Sequence, residues 1–291
     1  MFIKFLSNYS FKRLFISLYI FFCLTSVFYS FSIFFYQGFT FYHFGLLLAS
    51  LVPLFFFTSL YLFSIPRTSK TLLPITLIIF LALIPIFTYQ YSSVLELVIG
   101  ILLFLGWILY LYWYSQFDKR KINLSLKTPL PAYILQSVDN QSITPAFFYG
   151  NPVLYLFYRG NWCPLCMAQI KEIATQYKTL SQSGVQIVLI SSQSQSHIQS
   201  LANKYSLPFY FLRDTGGEYA KKLNIWQKKG TPFGFEIMGY QADTVFPTLI
   251  ITDAKGLVQF IHETDNYRLR PEPQVFMPLI QELILSTKEP Y

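Results

Sequence analysis

Two thiols stand three positions apart in the segment Trp162-Cys163-Pro164-Leu165-Cys166. At the first turn of a helix, such a pair can close a small disulfide ring and open it again. The nucleophile in that chemistry is the thiolate. Cysteine pKa values fall by about one to several units where unpaired N–H groups and the positive end of a helix dipole face the sulfur. Pro164 supports this placement, because proline suits the first helical position, where its missing N–H costs nothing.

The flanking residues supply the elements that would hold the pair. Val153 to Tyr158 is a short apolar run of strand type, preceded by the turn signal Gly150-Asn151-Pro152. After the cysteines, Ile170, Ile173, Ala174, Tyr177 and Leu180 recur at helical spacing, with Lys171, Glu172 and Lys178 between them. Strand, Cys-x-x-Cys, helix is the order of a thioredoxin-like redox site. One alternative is half of a zinc site, which needs two more soft ligands. The only other cysteine is Cys23, inside an apolar stretch. Another is a pair of inert buried cysteines, against which the neighbouring Trp162 and Pro164 speak. The reading calls for no cofactor and no resident metal.

Charge is distributed unevenly along the 291 residues. Residues 14–114 carry only three charged side chains, Arg67, Lys70 and Glu96, so this stretch is expected to face lipid rather than water. Four spans are expected at about 14–36, 42–64, 71–90 and 93–114, with a tight turn near Tyr91-Ser92. Pro53, Pro74 and Pro85 fall inside them, which membrane helices tolerate. The net charge of +8 is no nucleic-acid footprint, because eight of the 22 basic residues (Lys4, Lys12, Arg13, Arg67, Lys70, Lys119, Arg120 and Lys121) flank the spans. From residue 122 onward 14 basic residues meet 12 acidic ones. The basic flanks alternate with uncharged loops, which predicts a multi-pass protein of the cell membrane with both termini cytoplasmic. Residues 1–30 read alternatively as a signal peptide. No convincing cleavage site follows them, and removing the first span breaks the charge alternation. Cys23 and His43 read as packing residues or interfacial contacts, and Glu96, the one acid within the spans, as a functional candidate or, more simply, a residue at the water interface.

The second half predicts a mixed α/β fold behind a four-helix transmembrane region. The expected organisation is 1–114 membrane region, 115–131 basic and Pro-rich linker, and 132–291 a thioredoxin-like domain. Its expected elements are a small hairpin turning at Asp139-Asn140, a parallel strand over 185–190, a helix over 196–205, a strand over 209–212 and a short helix over 218–223. An insertion over 226–244 follows, then strands over 245–252 and 257–262 around Asp253-Ala254-Lys255-Gly256, and a last helix over 272–285.

Tyr158-Arg159-Gly160-Asn161-Trp162-Cys163-Pro164-Leu165-Cys166 resembles the active-site segment of the peroxiredoxin-like branch of the AhpC/TSA, or redoxin, family. Val245-Phe246-Pro247-Thr248 resembles the cis-proline loop of thioredoxin folds. The resemblance covers roughly residues 128–286 and implies a thiol–disulfide or thiol–peroxide reaction. Cys163, nearer the helix start and more exposed by the pattern, would attack; Cys166 would resolve the mixed disulfide or sulfenate. Pro247, if cis, would leave the preceding carbonyl or N–H free for an extended substrate chain. Arg159 would favour a thiolate or stand as a solvated surface charge, and Arg268 and Arg270 could assist or bind the C-terminal helix. Two positions depart from typical peroxiredoxins. Gly160 and Leu156 stand where threonine and proline arrange a peroxide pocket, and Phe157 replaces the buried acid of thioredoxins.

Three functions compete. The first is a membrane-tethered thiol oxidoreductase or thiol-dependent antioxidant peroxidase. Its partners would be the lipid bilayer, a peroxide or protein disulfide, and an external thioredoxin- or glutathione-like dithiol, with no nucleic acid. The second is a copper(I) metallochaperone using the pair with His262 as a third ligand. The third is a non-catalytic redoxin scaffold.

Overall fold

The computed structural model describes residues 9–88, 93–181, 184–205 and 207–288. The turn expected near Tyr91-Ser92, the basic flank Lys4 and the side chains of Tyr177, Lys178 and Leu180 lie outside that description. Four apolar helices come first: α1 (Tyr9–Gln37), α2 (Phe41–Leu62), α3 (Leu73–Thr88) and α4 (Val94–Leu109). Helix α4 widens into a π turn over Tyr110–Tyr114, where the Ser115 amide reaches back five residues to the Tyr110 carbonyl. Tyr9–Gln37, Phe41–Leu62 and Val94–Tyr114 are long and apolar enough to cross a membrane, whereas Leu73–Phe87 is a shorter apolar helix. At 1.5 Å per residue that fourth segment extends over roughly 22 Å, less than the ~30 Å hydrocarbon core. The outward faces carry large exposed apolar side chains such as Phe21, Phe28 and Phe35. Gly106 lets α1 and α4 touch: a Cβ there would lie 2.3 Å from the Tyr19 ring, whose hydroxyl donates to the Leu103 carbonyl.

The second half folds as a seven-stranded mixed sheet of order β2-β1-β5-β4-β3-β8-β9. The strands are β1 (Leu135–Gln136), β2 (Ser142–Ile143), β3 (Val153–Phe157), β4 (Gln186–Ser191), β5 (Tyr210–Arg213), β8 (Thr248–Thr252) and β9 (Val258–Glu263), and a separate pair joins β6 (Trp226–Gln227) to β7 (Thr244–Val245). Helices α5 (Pro164–Ser181), α6 (Gln195–Tyr205), α7 (Glu218–Lys222) and α8 (Pro273–Lys288) complete it. Strand β3 is apolar throughout because it is central, parallel to β4 and antiparallel to β8. Its alternation sends Leu154 and Leu156 into one core and Val153, Tyr155 and Phe157 into the other. This is the thioredoxin-like α/β arrangement expected from the sequence. One expected strand divides: 245–252 breaks at Pro247, which has no N–H for a ladder. Val245 then pairs with β6 and Thr248 with β3.

The core that contains Leu154, Leu156 and both cysteines continues into the helices through Tyr110, Leu60 and Ile16. Polar contacts reinforce that junction. Arg268, fully buried, donates to Ser115 Oγ (2.9 Å), Thr68 Oγ1 (3.0 Å) and the carbonyls of Ser69 and Lys70 (2.7 Å each). Arg13 pairs with Glu236 and Arg67 with Glu172, while Lys12 donates to the Gln116 carbonyl. The segment expected as a linker is bound along its length: Phe117 N donates to Asp265 O, Asn123 N to Leu223 O and Lys127 N to Val258 O.

Candidate redox site

The chain leaves the centre of the sheet at Phe157 and must turn sharply into α5. Gly160 makes the turn at φ +152°, where a Cβ would lie 2.7 Å from Trp162 Nε1, so both conformation and space demand glycine. The Cys163 amide donates to the Gly160 carbonyl, and Met167 N donates to Cys163 O as the helix begins. Pro164 is the first residue of α5. Gln193, in the loop after β4, clasps this turn. Its amide donates to Tyr158 Oη (3.0 Å) and Asn161 Oδ1 (2.8 Å), and its carbonyl accepts from Asn161 N (3.0 Å).

Cys163 and Cys166 are free thiols, each 1% exposed. The sequence pattern makes Cys163 the more exposed; the structure buries it equally, because α1 and α2 cover the site. The Cys166 amide donates to Cys163 Sγ at 3.4 Å, as a helix N-terminus should. Burial nevertheless outweighs that amide. Burial and its hydrogen bond to Cys166 push the Cys163 thiol well up. Burial also opposes charge at Cys166, but the hydrogen bond from Cys163 and the positive charges of Arg270 and Arg159 bring it down to about 6. The two thiols therefore titrate as a pair, with a single proton shared between the two sulfurs at neutral pH.

Arg159 is buried, not solvated. Its Nη2 donates to the Gly230 carbonyl at 2.5 Å and its guanidinium lies over the Trp162 ring, 4.7 Å from the centroid. Arg270 is buried with Nε and Nη2 unbonded, and its charge acts on both sulfurs. Arg268 instead fastens the helices, so the two arginines of Arg268-Leu269-Arg270 part company.

Cys163 lines an apolar cavity of about 100 Å³ whose far wall is helical. Ile16, Ser17 and Ile20 of α1, Phe57, Leu60 and Tyr61 of α2, and Tyr114 of the π turn face Arg159, Trp162, Cys163, Pro164 and Phe235 across it. Tyr61 Oη donates to the Trp162 carbonyl at 3.2 Å, and Phe235 packs on the Trp162 ring. Sequence reasoning missed Gln193, Tyr61, Tyr114 and Phe235. The only signal for the helical members was the crowding of tyrosine and tryptophan at the span ends, which also marks a lipid interface.

Two readings, those of Pro247 and His262, are corrected. Among the described residues no peptide bond is cis, so Phe246-Pro247 is trans, and the backbone before it is in use: Phe246 N donates to Ile225 O and Phe246 O accepts from Thr248 Oγ1. The pairing of β7 with β6 places those groups inside the chain, where no extended substrate can take them. Glu96 is buried among the helices at the start of α4, accepting from Ser93 N at 2.9 Å and lying 3.1 Å from His43 Nε2. The structure does not bring His262 into a ligand set with the cysteines. It sits in β9 opposite Leu249, and among the described residues no group of three or more His, Cys, Asp or Glu side chains could hold a metal.

The sheet order defines a thioredoxin-like fold, with the dithiol at the start of α5. The sequence model of the AhpC/TSA family matches residues 126–261, and the chain carries an AhpC/TSA family domain there. "Peroxiredoxin Q, chloroplastic" of Populus jackii is 29% identical over 155 residues, 53% of this chain and 66% of that protein. "Peroxiredoxin Bcp" of Escherichia coli (strain K12) is 23% identical over 152 residues, 52% of this chain and 92% of that protein. The chain thus spans just under two thirds of the Populus protein. Among solved structures, the peroxidoxin BcpB from Mycobacterium tuberculosis is 13% identical with a TM-score of 0.45, covering 57% of this chain and 100% of its own.

Proposed function

We propose that the chain is a membrane-tethered, peroxiredoxin-like thiol peroxidase that works through the Cys163–Cys166 dithiol. The division into a membrane region over 1–114, a joining segment over 115–131 and a redoxin domain over 132–291 belongs to the same reading, as does a cytoplasmic redoxin domain. The observation that carries it is the dithiol at a helix start between two buried arginines, with Cys163 on the wall of a cavity. In the resting pair the two sulfurs share one proton. Transfer of that proton makes Cys163 the nucleophile toward a peroxide in the cavity. Arg159, on the same wall, faces the oxygen that takes up negative charge as the O–O bond breaks. Cys166, one turn along α5, then displaces water from the Cys163 sulfenate and closes the disulfide. An external dithiol reduces it again. A peroxide fits this site better than an extended protein disulfide, because the backbone at Phe246 is already bonded within the chain.

Steady-state turnover of the full chain with hydrogen peroxide and dithiothreitol tests the reading. Cys163→Ser is expected to abolish it. Cys166→Ser is expected to undergo one oxidation, leaving a sulfenate that dimedone traps. Unchanged turnover in Cys163→Ser would sink the assignment.

A further inference from the structure

The insertion between β6 and β7 runs along the side of α1. Lys229 Nζ donates to Ser10 Oγ (2.9 Å), Phe233 N to the Arg13 carbonyl (3.2 Å), and Ser17 Oγ to the Phe233 carbonyl (2.8 Å). Arg13 also pairs with Glu236 and lies over the Phe233 ring, 5.7 Å from its centroid. At 1.5 Å per residue, Ser17 stands about 6 Å beyond Arg13 along the helix. Arg13 is the last charged side chain before Arg67, so the insertion follows α1 past the point where the helix loses its charge.

There the chain makes a 3₁₀ turn, Phe235–Met238, between Gly234 and Gly239. The turn divides its side chains. Phe235 packs on the Trp162 ring and lines the cavity beside Cys163. Phe233, Ile237 and Met238 are 57%, 92% and 56% exposed. Such a cluster marks a contact surface rather than a face meant for water. On α1, Leu14 and Leu18, one position round the helix from Arg13 and Ser17, are exposed as well. The apolar surface of the helix therefore continues onto the turn.

Resting on the reading of α1 as a membrane span, we propose that residues 233–238 form a second membrane contact. Phe233, Ile237 and Met238 enter the boundary between lipid headgroups and acyl chains beside α1. Depth selects lipid as the occupant. Interfacial elements bury apolar side chains about 5–10 Å into that boundary, and the step of about 6 Å from Arg13 to Ser17 falls in this range. A soluble partner does not reach that level. Charge agrees with depth: Glu236, the one acid on the turn, is paired with Arg13. The contact also reaches the redox site. Phe235 belongs to the same turn, so lipid that holds Ile237 and Met238 holds Phe235 against Trp162 and keeps the cavity beside Cys163 closed.

The test places an NBD dye on the full chain in phosphatidylcholine nanodiscs. Ile237→Cys, Phe28→Cys and Ile134→Cys, all exposed positions, are each made with Cys163→Ser and Cys166→Ser; Cys23 is buried and stays unlabelled. The lipid carries a nitroxide quencher either near its headgroup or near its chain end. At position 237 the headgroup-proximal nitroxide is expected to quench about twofold more strongly than the chain-end one. At position 28, well inside the apolar stretch of α1, the chain-end nitroxide is expected to quench more strongly, and at position 134 neither acts. A second measurement keeps the dithiol: Phe233→Ser/Ile237→Ser/Met238→Ser is expected to speed alkylation of Cys163 by a water-soluble reagent about fivefold in nanodiscs. An unchanged rate removes the link to the cavity. Quenching at position 28 but not at position 237 overturns the contact alone, whether the dye there stands in water or beneath a second copy of the chain. No quenching at position 28 overturns the membrane reading, and this inference with it.

Discussion

The helical and α/β regions both bury charge, and they do so differently. In the helices, Glu96 and His43 answer each other at the start of α2 and α4, where Glu96 also completes the cap of its own helix. That pair is closed on itself. It stands some 18 residues along α2 from Tyr61, or roughly 27 Å. In the α/β region Arg159, Arg268 and Arg270 are buried, and none forms an ion pair with a carboxylate among the described residues. A buried cation without an acid is costly, so something else must answer it. Arg268 is answered by neutral oxygens of the helical region; Arg159 and Arg270 are answered by the sulfur pair. Buried charge is structural where, as at Glu96 and Arg268, its partners tie one element to another. It is chemical where the partner is a group that ionises.

The largest effect is expected at the shared boundary. Arg268→Ala removes the donors to Ser115, Thr68, Ser69 and Lys70, of which Ser115 is buried and the other three lie where water reaches in part. At about 1–3 kcal/mol per unsatisfied group, reduced where water can enter, the loss is about 3–5 kcal/mol. Thermal unfolding in detergent measures it, and limited proteolysis is expected to cut within 115–131 in the variant only. An unchanged Tm would mean that the two regions are held together by apolar packing alone.

The next effect lies on the chemical side of the comparison. With Cys166 brought down to about 6, the reduced pair carries its negative charge at neutral pH and loses it as pH falls through that value. The alkylation rate of the reduced protein is therefore expected to fall about tenfold between pH 7 and pH 5, where an ordinary thiol of pKa near 8.5 has already lost most of its thiolate by pH 7. The sign for stability follows. A depressed thiol pKa stabilises the reduced fold at higher pH, and that contribution disappears as pH drops through about 6. Arg270→Gln and Arg159→Gln each remove a charge that holds Cys166 down and are expected to move the midpoint upward. A midpoint near 8.5 in the wild-type chain would break the distinction between the two kinds of buried charge.

These results also show where sequence reasoning reaches. The strand–dithiol–helix unit was legible because periodicity, the turn at Gly150-Asn151-Pro152 and Pro164 are local signals, and the apolar helices were legible from length and the scarcity of charge. What escaped reading is what arises when the two regions touch. Lys12, Arg13 and Arg67 read as topology markers, yet each holds a partner at the junction, at Gln116, Glu236 and Glu172. Cys163 read as exposed because the motif was weighed as part of a free-standing domain. Arg159 could be read as either solvated or supporting, since only tertiary contacts decide whether an arginine meets water. Pro247 read as cis from the likeness of four residues. The pairing of Val245 with Trp226, across an insertion of no regular pattern, decided otherwise.

The smallest effect separates the two ends of α2. Tyr61→Phe removes one hydrogen bond, from its hydroxyl to the Trp162 carbonyl at 3.2 Å, while keeping the ring against the cavity. Such a bond contributes about 1 kcal/mol net, so Tm is expected to move by little. The same bond ties the helical cover to the residue beside Cys163, and weakening it by that amount makes excursions of the cover about fivefold more frequent. Alkylation of Cys163 by a water-soluble reagent is expected to rise by about that factor. His43→Leu is the counterpart at the other end: it strips Glu96 of a buried partner and is expected to lower stability by about 1–3 kcal/mol without changing Cys163 alkylation. If His43→Leu speeds alkylation as much as Tyr61→Phe does, α2 moves as one rigid lever, and the division between a structural end and a reactive end of the helix falls.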